Sequence, residues 1–187
     1  MNRLHRWYCR SDRWAATVRD QLLPWVLRGV EPGDDVLEVG PGPGVTTDHL
    51  RSWAPHLTAI EVDPTLAAAL RGHSGDTGVE VVTGDATVMP FEDGRFSAVV
   101  SCTMLHHVPS VAMQDRLLGE VHRVLRPGGV LVGSDSTTGV VFRLAHLFDT
   151  MVLVDPDGFA ARLEAVGFVD VRVQRAGRAF RFRAWRR

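Results

Sequence analysis

Val36-Leu37-Glu38-Val39-Gly40-Pro41-Gly42-Pro43-Gly44 is the stretch from which the rest of this chain is read. Its three glycines stand at every second position, after an apolar run and before a helix-like segment, Val45 to Trp53. Such a loop has almost no side-chain bulk, so a ligand can approach the backbone closely. Where it leaves a strand and enters a helix, it also places backbone N–H groups beside that ligand. The stretch predicts a cofactor loop at the carboxyl end of a central parallel strand.

Outward from this loop the pattern alternates. Asp35 to Val39, His56 to Val62, Val79 to Thr83, Phe96 to Ser101 and Val130 to Ser134 read as strands. Pro64 to Arg71 reads as a helix with proline near its first position. Ala112 to Leu125 reads as a helix ended by Arg126-Pro127-Gly128-Gly129. Pro156 to Val166 is a helix ended by Gly167; Phe168 to Gln174 and Ala179 to Trp185 form a terminal antiparallel pair. Upstream, Trp14 to Arg28 is an amphipathic helix that Pro24 breaks or kinks. Alternating strands and helices imply a parallel sheet covered on both faces. Asp135 to Asp155 fits no single element, although its apolar part, Val140 to Phe148, suits a short helix over the site.

The chain has 187 residues, enough for one good core, with 45% hydrophobic and 23% charged residues. No apolar run approaches the length of a membrane span, and the basic N-terminus lacks a signal-peptide core, so a cytoplasmic protein with no membrane contact is expected. Cys9 and Cys102 have no metal-type spacing, and no metal is expected. All 21 basic residues are arginine, which excludes a Walker-type phosphate loop and a Schiff-base lysine. The net charge of -1 hides two basic ends: Met1 to Val30 has six arginines against Asp12 and Asp20, and Arg172 to Arg187 has seven and no acid. These are read as solvated faces, with attraction for an anionic substrate or RNA as the sharper alternative.

The glycine spacing argues against a dinucleotide. That fingerprint needs glycine at the first, third and sixth positions. Counting from Gly40 puts Val45 at the sixth, and counting from Gly42 puts Thr47 there. The acid at Glu38 would repel a pyrophosphate but can accept hydrogen bonds from an ammonium group. The loop therefore suits a cofactor with a cationic end and no phosphate.

Over nearly its whole length the chain resembles the class I, seven-stranded S-adenosylmethionine-dependent methyltransferases, in particular their small-molecule "type 11" branch. The motifs are Val36–Gly44, Leu57-Thr58-Ala59-Ile60-Glu61-Val62-Asp63-Pro64, Thr83-Gly84-Asp85-Ala86, Met89–Ser101, Glu120–Leu131 and Leu163–Phe168. The resemblance implies a doubly wound, mostly parallel α/β sheet of order 3-2-1-4-5-7-6 with the last strand antiparallel. It implies that Glu38, Gly40, Pro41, Gly42 and Gly44 hold the methionine portion of the cofactor. Glu61 would accept from the ribose hydroxyls, with Asp63 second and Val62 beside it. Asp85 and Ala86 would contact adenine, and Ser101 and Cys102 would wall the site. One domain, 1–187, is expected, with residues 1–30 as an N-terminal lid and 136–155 as a substrate cap.

Methyl transfer from a sulfonium is an in-line displacement with a good leaving group, so alignment is most of the enzyme's task. His106 and His107, after the fourth strand, are the candidate bases, since histidine titrates near neutrality. Cys102 is read as a small wall residue. Tyr8, Trp14, Phe142, His146 and Phe148 are candidates to line an acceptor pocket. The expected acceptor is a small molecule and the expected product S-adenosylhomocysteine. An enzyme acting on RNA or protein, or a non-catalytic binder, is the alternative. Nucleic acid is disfavoured by Ser101-Cys102-Thr103-Met104, which is not an Asn/Asp-Pro-Pro-Tyr-type motif. The acceptor's identity, the attacking atom and the oligomeric state stay open.

Overall fold

In the computed structural model, residues 9, 11–75, 78–137 and 151–187 are described. Five strands carry the cofactor end of the fold: β1 (Asp35–Val39), β2 (His56–Glu61), β3 (Val79–Thr83), β4 (Phe96–Cys102) and β5 (Leu125–Ser136). A hairpin, β6 (Phe168–Ala176) and β7 (Ala179–Arg186), completes a seven-stranded sheet of order β3-β2-β1-β4-β5-β7-β6. β1 to β5 run parallel, and β7 is antiparallel to both β5 and β6. This is the fold and strand order expected.

Side-chain alternation splits the core between the two faces. On one face Leu37, Val39, Val99 and Leu131 pack with Leu117, Leu118 and Val121 of α5 (Val111–Val124) and Phe159 and Leu163 of α6 (Pro156–Val166). Phe180 and Phe182 of β7 meet Phe159 there in edge-on contacts. On the other face Val36, Ala98, Val100, Val130 and Val132 pack with Val18, Leu23, Val26 and Leu50.

Three expected elements are adjusted. The N-terminal helix runs as α1 (Asp12–Thr17), a π-helical stretch (Val18–Leu22) and α2 (Leu23–Val26). The Leu23 N–H reaches Val18 O, five residues back, so the helix widens just before Pro24. A proline ring collides with the carbonyl four residues upstream, and a wider turn moves that carbonyl away. The helix after the glycine loop, α3 (Val45–Leu50), stops short of the expected Trp53. Most tellingly, β5 begins at Leu125, which pairs with Phe96, and resumes at Val130 opposite Ala98. Arg126-Pro127-Gly128-Gly129 is therefore a bulge within a strand, with Gly128 at φ +79°.

Candidate active site

The carboxyl ends of β1, β2, β3 and β4 open onto a cavity of about 370 Å³. Gly40, Pro41 and Gly42 form one side; Glu61 and Val62 lie at the end of β2, Asp85 and Ala86 at the end of β3, Cys102 at the end of β4. The structure brings these predicted residues together from four separated stretches of sequence.

Gly40 and Gly42 have φ of +70° and +56°, the left-handed region that favours glycine. A Cβ on Gly42 would meet no atom within 4 Å, so this residue leaves open room beside the cavity. Its N–H donates to Glu61 Oε2 at 3.0 Å, and Asp63 N–H donates to Glu61 Oε1 at 2.9 Å. A carboxylate has about four lone-pair sites, so each oxygen keeps acceptor capacity after these bonds. Glu61 is buried and locked in rotamer by its two donors, yet still borders the cavity. Asp63 caps α4 (Pro64–Ser74), accepting from the Thr65 and Leu66 N–H groups. Asp85 Oδ1 accepts from Thr87 N–H at 2.8 Å. Val62 is 67% exposed although apolar, and it faces the same cavity. A polar acceptor pair, a bare apolar wall and an open glycine backbone together fit a ribose, a planar base and an amino-acid tail.

Other expected residues stand elsewhere. Glu38 does not reach the cavity. Strand alternation puts its side chain on the face of Val36, toward α3, where it is 2% exposed. Thr46 Oγ1 donates to its Oε1 and Thr47 Oγ1 to its Oε2, the latter at 2.6 Å. Burial, outweighing these two bonds, pushes its pKa up to about 7. Glu38 therefore braces the start of α3 from behind the loop. Gly44 lies at the N-terminus of α3, and Ser101 is buried within the sheet. Neither lines the cavity.

The two histidines separate. His107 lines the cavity, whereas His106 is 1% exposed and turned to β5. His106 Nδ1 lies 2.5 Å from Asp135 Oδ1, and His106 N–H donates to Asp135 Oδ2 at 3.1 Å. They occupy a single turn of 3₁₀ helix, Leu105–His107, in which neighbours project about a third of a turn apart. Cys102 lines the cavity, but burial, and next the Glu38 charge, raise its thiol pKa to about 12, so it is no nucleophile at neutral pH.

Thr103, Met104 and Met113 are wall residues that the sequence reading did not single out as site residues. Thr103 has φ +52°, rare for a β-branched residue, and is held by its N–H bond to Ser134 O at 2.8 Å. Met104 packs against Gly40, and Met113 reaches the cavity from α5. From the N-terminal segment, Cys9 and the predicted Trp14 also line it. Tyr8, Phe142, His146 and Phe148, with the first residues of the proposed lid (1–8 and 10) and most of the proposed cap (138–150), lie outside the described residues. Among the described residues no cluster of three His, Cys, Asp or Glu could hold a metal ion, and no helix is long and apolar enough to cross a membrane.

Residues 37–133 match the family model described as "Methyltransferase domain". The demethylmenaquinone methyltransferase of Mycolicibacterium gilvum is 31% identical, over 87% of this chain and 78% of that one. The 24-methylenesterol C-methyltransferase 2 of Oryza sativa subsp. japonica is 32% identical over 72% of this chain and 37% of its own length. The chain spans about half the length of other curated relatives it matches. Among solved structures, the PH0226 protein of Pyrococcus horikoshii superposes with a TM-score of 0.83 at 14% identity, covering 96% of this chain and 94% of that one. This is a likeness of fold.

Proposed function

This chain belongs to the methyltransferase-domain family, and on that premise we propose that it binds S-adenosylmethionine in the 370 Å³ cavity and methylates a small, largely apolar acceptor. The observation that carries the reading is Glu61: a buried carboxylate, fixed by two backbone N–H groups, with acceptor capacity left beside the cavity. In this assignment Glu61 accepts from the ribose hydroxyls, Asp85 from the adenine amino group, and Val62 covers a face of the base. Gly40 to Gly42 let the methionine portion lie against the backbone.

When bound, the cofactor supplies a methyl group on a sulfonium whose departure leaves a neutral thioether. The chain's own residues align and enclose. Cys102, Thr103 and Met104 close the wall at the end of β4, and Trp14, Val108 and Met113 add apolar surface. Such a lining favours an acceptor that is itself mostly apolar, in keeping with relatives named for sterol and menaquinone substrates. His107 is the group placed to take a proton, since His106 is held by Asp135 away from the cavity. A lid at 1–30 and a cap at 136–155, in one domain, complete the proposal. Cys9 and Trp14 on the wall, and Val152 N–H bonded to His106 O at 2.8 Å, support it. A cytoplasmic location accords with two free thiols, Cys9 and Cys102.

Calorimetry with S-adenosylhomocysteine tests the cofactor assignment. Glu61→Ala is expected to weaken binding at least about tenfold, the equivalent of one charge-assisted hydrogen bond. Wild-type affinity in that variant would remove Glu61 from the ribose. Production of S-adenosylhomocysteine across a panel of hydroquinone and sterol acceptors tests the transfer; methylation of RNA or protein alone would overturn the acceptor class.

A further inference from the structure

A second cleft, of about 280 Å³, shares no lining residue with the cofactor cavity. It is lined by Arg28 from the segment after α2, Arg172 and Gln174 of β6, and Arg181 and Arg183 of β7, together with the apolar Val26 and Phe182. Arg172 stands directly opposite Arg183 in the antiparallel register, and Gln174 opposite Arg181. Like charges facing each other across a ladder are destabilising.

None of these four arginines forms an ion pair with a carboxylate among the described residues. Arg181 is fixed in place: its Nη1 donates to Trp25 O, and its Nε and Nη2 donate to Gln174 Oε1 at 3.0 and 2.7 Å. With that oxygen engaged, Gln174 has only its amide donors to offer a ligand. Burial and the nearby charges of Arg183 and Arg28 lower the pKa of Arg181, as expected where positive charge is crowded and uncompensated.

Two ordinary explanations fall short. Charged side chains protect edge strands from pairing with other chains, which accounts for Arg172 on β6. It does not account for Arg181 and Arg183, because β7 is paired on both sides. Arginines also cover the carbonyls at helix C-termini, as Arg181 does at Trp25. Arg28, just past the same helix end, then adds a further charge with no carboxylate partner among the described residues.

We propose that this cleft is a second ligand site, built for a phosphate- or pyrophosphate-type oxyanion. Its lining is donor-rich, concave and partly preorganised, which are the features that recognise a fully ionised multi-oxygen group. The oxyanion could belong to a soluble phosphorylated compound or to a lipid headgroup, and the two sources are separable by experiment.

The test titrates sodium pyrophosphate and inorganic phosphate into the protein, following tryptophan fluorescence, since Trp25 and Trp185 lie under Arg181 and Arg183. Phosphatidylcholine vesicles, with and without phosphatidylglycerol, form the second arm. The variants are Arg28→Gln and Arg172→Gln. Both side chains are exposed, and neither makes a hydrogen bond or ion pair among the described residues, so folding should be retained. Each is expected to weaken oxyanion binding about tenfold, and the pair more, and Arg172→Gln, outside the proposed lid, to leave S-adenosylhomocysteine affinity unchanged. The double variant without ligand should unfold at the same temperature or higher, because a like-charge contact is gone. Binding of pyrophosphate that depends on these arginines supports a soluble ligand. Binding only of the phosphatidylglycerol vesicles, with the same dependence, supports a headgroup. Failure of both arms, or binding that the double variant leaves intact, overturns the site.

Discussion

A Cβ added at Gly40 would stand 2.2 Å from Met104 Cγ, whereas one added at Gly42 would meet no protein atom within 4 Å. Both residues have positive φ, so alanine strains either by roughly 1–2 kcal/mol. The consequences then diverge. Gly40→Ala must displace the β4 wall and is expected to lose several-fold in soluble yield and about 3 kcal/mol or more in stability. Gly42→Ala should fold with only the conformational cost, but lose S-adenosylhomocysteine affinity at least about tenfold, because its methyl group occupies space left for the ligand. Urea unfolding beside calorimetry checks the contrast; equal stability losses would remove it.

Glu38 adds a pH signature at the same scale. Its pKa in the folded protein, about 7, lies above the ordinary 4.5. The folded state therefore binds this proton more tightly than the unfolded chain. The stabilisation is complete below the unfolded value and is lost as pH rises through about 7. Glu38→Gln carries no charge at any pH. The difference in unfolding free energy, variant minus wild type, should rise by roughly 1–3 kcal/mol between pH 5 and pH 8. A pH-independent difference would contradict the buried-carboxylate account. The acid was visible in the sequence, but its direction was not. Only the strand parity of Val36 and Glu38, and hydroxyls at Thr46 and Thr47, turn it toward α3.

Elements decide which histidine meets the cavity. The turn Leu105–His107 is tied to the end of β5 by His106 and Asp135, and to the segment before α6 by Gln114, whose Nε2 donates to Leu105 O and Val152 O. Asp135 accepts from His106 Nδ1, His106 N–H and Ser136 N–H. Asparagine would turn an amide NH₂ toward one of those donors. Asp135→Asn is therefore expected to cost about 3–5 kcal/mol, as for breaking a buried pair. It should lower kcat for methyl transfer more than it weakens S-adenosylhomocysteine binding, because the turn positions Thr103, Met104 and His107, which wall the proposed acceptor side. Loss of cofactor affinity with kcat intact would refute that division. Adjacent identical residues cannot be told apart by periodicity, and the partner that distinguishes them stands 29 positions later. The strands, by contrast, were legible, since alternating apolar runs and turn residues mark each one locally. The bulge in β5 was not, because Pro127-Gly128-Gly129 has the composition of a turn and only pairing with Phe96 shows the strand beginning before it.

Across the whole molecule, parallel strand order places the ends of β1, β2, β3 and β4 side by side, and the cavity exists only when all four are docked. A ligand held there binds the folded chain and not the unfolded one. At one hundred times its dissociation constant it should add about 2.7 kcal/mol to stability. For a chain of this size that is a rise of roughly 5–10 °C in Tm. S-adenosylhomocysteine is expected to produce that rise in wild type. Asp85→Ala should keep nearly the wild-type Tm without ligand, because Asp85 is exposed and its side chain makes one hydrogen bond among the described residues, to Thr87 N–H. The variant should show a much smaller ligand-induced shift at the same concentration. Equal shifts in both proteins would take adenine away from Asp85, and no shift in wild type would take the cofactor out of the cavity. Pyrophosphate, acting at a cleft formed by the hairpin, the end of α2 and the segment after it, should raise Tm independently. With both ligands saturating, the two stabilisations should add, because the sites share no residue.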